Sequence, residues 1–221
     1  MTNKNDKNHD NDVKNTSDND QPEQERLELQ EFKKELLNQI QIAADVGGIF
    51  SNDAFFDITS ELLTEAGNYD DIQKDSYINS RRGIKIDGYN WNQMEGILSA
   101  IITKFSNDED LITISKSEIE KLGKQASKFI LNMDEKFKEF LDPSDSAVEL
   151  AQEMTSYLTV QGKEGEDGYR QAAIKFRVIV VTDFLLSERV NLNKLKIEKI
   201  HDKETFFELW DLKRIKNLTQ S

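Results

Sequence analysis

The chain has no cysteine, only two histidines and only two prolines, and it contains no long uninterrupted apolar stretch. Without cysteine there can be no disulfide, no thiolate nucleophile and no Cys-ligated zinc. His9 and His201 are too few for a multi-histidine metal centre, and neither accompanies a serine signature, which excludes Ser-His-Asp and Cys-His catalysis. A membrane-spanning helix needs about 18 apolar residues in a row, and a signal peptide needs an apolar segment near its start. The sequence supplies neither and reads as that of a cytoplasmic protein with no membrane partner.

Positive charge is also scarce. Against 29 Lys and Arg stand 42 Asp and Glu, a net charge of −13. A surface of that sign repels phosphate at long range, which disfavours generic nucleic-acid or anionic-membrane binding by this chain alone. Residues 1–23 hold three lysines, six asparagines and six acids, with Met1 and Val13 as their apolar residues. So little apolar surface cannot offset the entropy of ordering, and this segment reads as a disordered acidic, Asn-rich tail. The remaining 24–221 stays acidic and reads as one domain.

Within that domain, Leu29, Phe32, Leu36, Ile40 and Ala43 have helical spacing, predicting a helix from Glu25 to Val46 that ends at Gly47-Gly48. A second helix follows, capped by Ser51 or Asn52, with Phe55, Ile58, Leu62 and Ala66 on one face and Gly67 as its stop. Period-two alternation then marks a strand from Gly83 to Tyr89, and the nearly continuous apolar run Ile97 to Phe105 marks a strand buried on both faces. Gln93 to Gly96 is the hairpin loop between them.

Ser117 with Glu120 suggests a capping box opening a long helix to about Leu141 through Ile119, Leu122, Ala126, Phe129, Met133, Phe137 and Phe140. Asp142-Pro143 restarts the chain into a helix carried by Ala147, Ala151, Met154 and Leu158. Gln161 to Gly168 is a loose loop, because Glu164, Glu166 and Asp167 would oppose a phosphate. Ala173 to Leu186 is the strongest strand signal. Leu195 to Ile200 reads as an edge strand with alternating lysines and places His201 at a solvated strand end; Phe206 to Trp210 is a further strand, and Asp211 caps a last helix, Leu212 to Leu218. The order predicts an α/β protein with a central mixed sheet and helices on both faces.

Chemistry can be sought in the hairpin. With Gln93 to Gly96 as loop, Asp87 pairs with Ile102 and Lys85 with Lys104, so Asp87, Ile102 and Lys104 are expected on one side of the sheet. That arrangement resembles the PD-(D/E)XK nuclease core, where an Asp on one strand and acid-x-Lys on the next hold Mg²⁺ and position water. The resemblance puts Asp87 at the Asp position, Lys104 at the Lys position and Ile102 in the place of the acid, with Glu65 rather than Glu61 as the helix-borne carboxylate beside Ile58 and Leu62. An active nuclease would use Asp87, Glu65 and Lys104 with Mg²⁺, its metal held by Asp87 and Glu65. An apolar residue cannot ligate a hard cation, so a degenerate site with no cofactor is the other reading. In a structural role, Asp87-Gly88 begins a bend and Lys104 and Glu65 are solvated element-end charges.

Four segments, Ser80-Arg-Arg-Gly-Ile-Lys-Ile-Asp87-Gly-Tyr, Gly96-Ile-Leu-Ser-Ala-Ile-Ile-Thr-Lys104-Phe, Val181-Thr-Asp183-Phe-Leu-Leu-Ser187 and Phe207-Glu-Leu-Trp210-Asp211-Leu-Lys-Arg214-Ile, form a series. In order and spacing, over about residues 50 to 218, they resemble the N-terminal region of AIPR (abortive infection phage resistance) proteins. The resemblance implies a restriction-endonuclease-like module of a bacterial phage-defence protein, in many relatives without the full catalytic set. It also implies a protein partner, or the remaining part of a longer AIPR-type protein, working with this chain.

Overall fold

The computed structural model describes residues 21–133, 146–196 and 199–220. Helices α1 (Gln21–Gly47) and α2 (Ser51–Glu65) precede three strands, β1 (Gln73–Asn79), β2 (Ile84–Asn92) and β3 (Ile97–Lys104). After the short β4 (Thr113–Ile114) come α3 (Lys116–Asn132) and α4 (Ser146–Ser156), then β5 (Lys175–Thr182), β6 (Leu185–Leu186), β7 (Glu204–Trp210) and α5 (Leu212–Leu218). The main sheet runs β1-β2-β3-β5-β7, antiparallel as far as β3 and parallel beyond it, while β4 and β6 form a separate parallel pair.

Two apolar layers hold this sheet. Even-numbered residues of β3 and β5, such as Leu98, Ile102, Phe176 and Val180, pack against Ile119, Phe129 and Ile130 of α3 and Leu150 and Met154 of α4. Odd-numbered Ile101, Ile179 and Val181 face Leu36 and Ile40 of α1, Phe55 and Leu63 of α2, and Leu212 and Ile215 of α5. The mixed α/β architecture with helices on both faces is as expected. It explains why β3 shows no alternation, since both its faces are dry.

Several local expectations change. Ser115, not Ser117, caps α3: its hydroxyl accepts from the Glu118 N–H while the Glu118 carboxylate takes the Ser115 N–H. Phe50 occupies the N-cap of α2 without a side-chain bond, so neither Ser51 nor Asn52 serves there. Helix α1 starts at Gln21, ahead of Glu25. The polar strand β1 has no apolar alternation to announce it and forms by pairing with β2.

Of the strand expected from Leu195 to Ile200, Ile197 and Glu198 lie outside the described residues, while Leu195, Lys196 and Lys199 are in no strand. Just before them Leu192–Lys194 form a 3₁₀ turn in which the Asn191 side chain accepts from the Asn193 N–H. His201 and Asp202 then take left-handed φ values of 48° and 59°, which reverses the chain into β7. Residues 1–20 of the expected tail, and Phe137, Phe140, Leu141 and Asp142-Pro143 in the expected helix junction, lie outside the described residues. None of the described helices is long and apolar enough to cross a membrane.

Candidate functional site

The hairpin keeps its expected register from the loop down to Gly88, which faces Ile101 as Tyr89 faces Ala100. There the ladder ends. On the other side of β2, Asp75 and Ser76 of β1 together oppose Asp87 in a β-bulge. Ile84 and Ile86 point into the α3 layer, and so does Tyr89, so the alternation of β2 slips by one residue between 86 and 89. Gly88 permits this: a Cβ there would lie 2.4 Å from Phe56 Cζ and 2.5 Å from the Gln73 carbonyl oxygen.

The slip turns Asp87 to the α2 side of the sheet, away from Ile102. Its Oδ2 accepts the Thr103 N–H at 2.6 Å and the Thr103 hydroxyl at 3.0 Å. Lys85 Nζ stands 3.0 Å from that oxygen and donates to the Thr103 carbonyl at 2.8 Å. Two β2 side chains therefore satisfy both backbone groups of Thr103 where the strand-to-strand ladder has stopped.

Lys104 belongs to the opposite face. Its ammonium lies 2.5 Å from Glu118 Oε1 and 4.8 Å above the Phe184 ring. That hydrogen bond to Lys104 is the main reason the Glu118 carboxyl is held below its ordinary range. Ile102 is fully buried in the α3 layer. Glu65 is exposed in the last turn of α2, and no ion pair ties it to Lys85 or Lys104. Asp87 is thus brought to Lys85 and Thr103, Lys104 to Glu118, and the expected trio of Asp87, Lys104 and Glu65 is not assembled.

A magnesium ion would not fit this arrangement. Mg²⁺ takes near-octahedral oxygen ligands and usually one or two carboxylates, whereas the one carboxylate of β2 is already surrounded by three donors. Among the described residues no group of three acids or histidines is placed to hold a metal.

A different polar centre lies at the ends of the parallel strands. Lys33 of α1 is fully buried, with Nζ 2.6 Å from the Asp110 carbonyl oxygen and 3.5 Å from Asp183 Oδ2. Asp183, also buried, accepts the Ser106 N–H at 3.0 Å and the Ser106 hydroxyl at 2.6 Å. The centre binds the chain beyond β3, the end of β5 and α1 into one unit. A signal for it existed: Lys33 interrupts the apolar stripe Leu29, Leu36, Ile40, where a solvated lysine does not belong.

The remaining motif residues are structural in the same way. Asp211 caps α5 by accepting from the Arg214 N–H and also takes the Leu186 N–H. Arg214 donates to the Leu209 carbonyl and lies over the Trp210 ring. Tyr69 donates to Glu208 at 2.8 Å and accepts from the Trp210 indole. Its burial, followed by the Glu208 charge, drives the phenol far above its ordinary range.

A family model, the abortive infection phage resistance protein N-terminal domain, matches residues 55–217. The chain belongs to this family. Comparison with curated proteins gives no match, nor does comparison with solved structures. The matched range of this AIPR domain takes in Asp87, Lys104, Asp183, Trp210, Asp211 and Arg214, while α1, with Lys33, precedes it.

Proposed function

We propose that this AIPR domain is a non-catalytic, nuclease-like module of a phage-defence protein that acts through protein contacts. The observation carrying this reading is the state of the hairpin: Asp87 and Lys85 splice the backbone of Thr103 to β2, and Ile102 fills the acid position as a core residue. A carboxylate used to close a ladder, with a lysine at 3.0 Å, is engaged in folding. The mixed sheet with helices on both faces supports the restriction-endonuclease-like part of the reading.

Two measurements test it. Titrating Mg²⁺ or Mn²⁺ to millimolar levels should leave the thermal midpoint unchanged, since only an ion that binds the folded state raises it. Plasmid DNA and RNA should stay intact under the same conditions. A metal-dependent rise together with cleavage would replace the reading by a Mg²⁺-dependent nuclease. Pull-down from phage-infected and uninfected cells should recover a specific protein, and an empty result in both would remove the protein-contact role.

A further inference from the structure

The charge of −13 is not spread evenly. Lys116, Lys121 and Lys124 stand exposed along α3 with Lys128 half-buried below them. Lys128 Nζ donates to the Arg82 carbonyl, which joins the helix to the exposed Arg81-Arg82 turn between β1 and β2. On the other flank the exposed Lys196 follows Leu195, its N–H held by Glu120. Glu120 also neutralises Lys116 at 3.6 Å. Among the described residues this face is strongly positive on a strongly negative molecule.

The face also has a recess. Between α3 and the segment at Leu195 lies a hollow of about 400 Å³, with Gly123, Leu195 and Phe207 in its lining and Lys124, Lys196 and the acid Glu120 as its charged residues. Gly123 is what brings the helix down on this floor: a Cβ there would stand 3.2 Å from the edge of the Phe207 ring. A second shallow hollow continues it, lined by Lys121, Lys124 and Lys128 with Gly83, and it shares Glu120 with the first.

We propose that this face docks an acidic protein segment with an apolar anchor: the anchor side chain enters the recess on Leu195 and Phe207, and flanking carboxylates meet Lys121, Lys124, Lys128 and Lys196. The inference rests on the protein-contact reading and adds the chemistry of the partner. Charge complementarity selects an anion, and two further observations select a peptide over nucleic acid. From Ser117 to Lys128 the face spans only ~17 Å of helix, which a few extended residues cover. A longer polyanion would extend past these lysines on a molecule of net charge −13, whose overall field opposes it. The Phe207 ring, moreover, turns an edge to α3, where single-stranded bases would need an open aromatic face to stack on.

The test uses the full chain and three fluorescent probes: a peptide of about ten residues with a Leu-Phe pair flanked by Asp and Glu, the same peptide with Ser-Ser at its centre, and a single-stranded oligonucleotide of similar length. Anisotropy at low salt should show the Leu-Phe peptide bound most tightly. The triple variant Lys121→Gln, Lys124→Gln, Lys196→Gln should lose roughly tenfold or more in affinity. A control with the same charge change elsewhere, Lys34→Gln, Lys163→Gln, Lys213→Gln, should bind as the parent does, with thermal melts confirming that both variants fold. Equal loss in the two triples, equal binding of the two peptides, or tighter binding of the oligonucleotide overturns the proposal. If the parent recovers a partner from cells that the α3 triple also recovers, the face is wrong while the protein-contact reading stands.

Discussion

The chemistry of Asp87 separates two histories for this residue. In a metal site its carboxylate would sit among other carboxylates, and removing it would relieve repulsion; here it holds the Thr103 N–H and pairs with Lys85. Asp87→Ala strands a half-buried N–H and a lysine, so a loss of about 1–3 kcal/mol is expected in urea unfolding, with the same loss in EDTA and in Mg²⁺. An increase in stability would contradict the splice. Ile102→Glu is the complementary change. Its carboxylate enters the α3 layer and faces away from Asp87, so it should cost several kcal/mol with no recovery in Mn²⁺. Recovery by metal would mean that the two side chains share a side of the sheet after all.

Asp75 on β1 gives a pH signature of its own. Burial first, then the charges of Glu153 and Glu149, raise its carboxyl above the ordinary value of 3.8. A raised folded value means that ionisation costs stability: the protonated form favours folding below the unfolded value, and that advantage is lost as pH rises through the folded one. Asp75→Asn should therefore melt higher than the parent at pH 7, and the gap should close as the pH falls below about 3.8. A constant gap across that range would rule the titration out.

At the scale of elements, the β1-β2 pairing depends on a position without a side chain. Gly88→Ala sets its methyl against Phe56 and the Gln73 carbonyl, and only the first can yield by changing rotamer. Overpacking of this kind costs about 1–3 kcal/mol, and because the second obstacle is backbone, adding Phe56→Leu should restore only part of it. Full rescue in a double-mutant cycle would place the whole strain in the ring. The hairpin also illustrates how far sequence reading reaches. The loop, the pairing and the two strands were legible from alternation and from Gly96, whose φ of 64° the turn requires. The slip between Ile86 and Tyr89 was not, since it arises from a bulge on β1, a strand whose polar residues carry no pattern. One displaced residue moved Asp87 to the other face and dissolved the expected site.

For the whole molecule, α1 matters more than its place outside the matched range suggests. It contributes Leu36, Ile40 and Ala44 to the layer over the odd-numbered face of β3 and β5, and Lys33 neutralises a carboxylate buried inside the family domain. A lone charge left in that interior costs about 3–5 kcal/mol, the loss expected for Lys33→Met in chemical unfolding. Removing residues 1–49 would add the exposure of Phe55 and Leu63, and the resulting chain should lose its cooperative melt. A sharp transition at the parent midpoint would show that the AIPR domain folds without its preceding helix.

By itself the sequence determined what depends on local periodicity and composition. That covers the helical stripes of α1 and α3, the doubly buried β3, the Asp211 cap, the excess of acid and the lack of cysteine. A linear pattern can carry these properties because each follows from neighbours within a few residues. The tertiary structure alone decided which charges meet: Asp87 with Thr103, Lys104 with Glu118, Lys33 with Asp183 over 150 positions of chain, and the gathering of the α3 lysines with Arg81 and Arg82. Net charge is a sum and says nothing of placement, and a side chain's face depends on every bulge between it and its partner, so both had to wait for the folded chain.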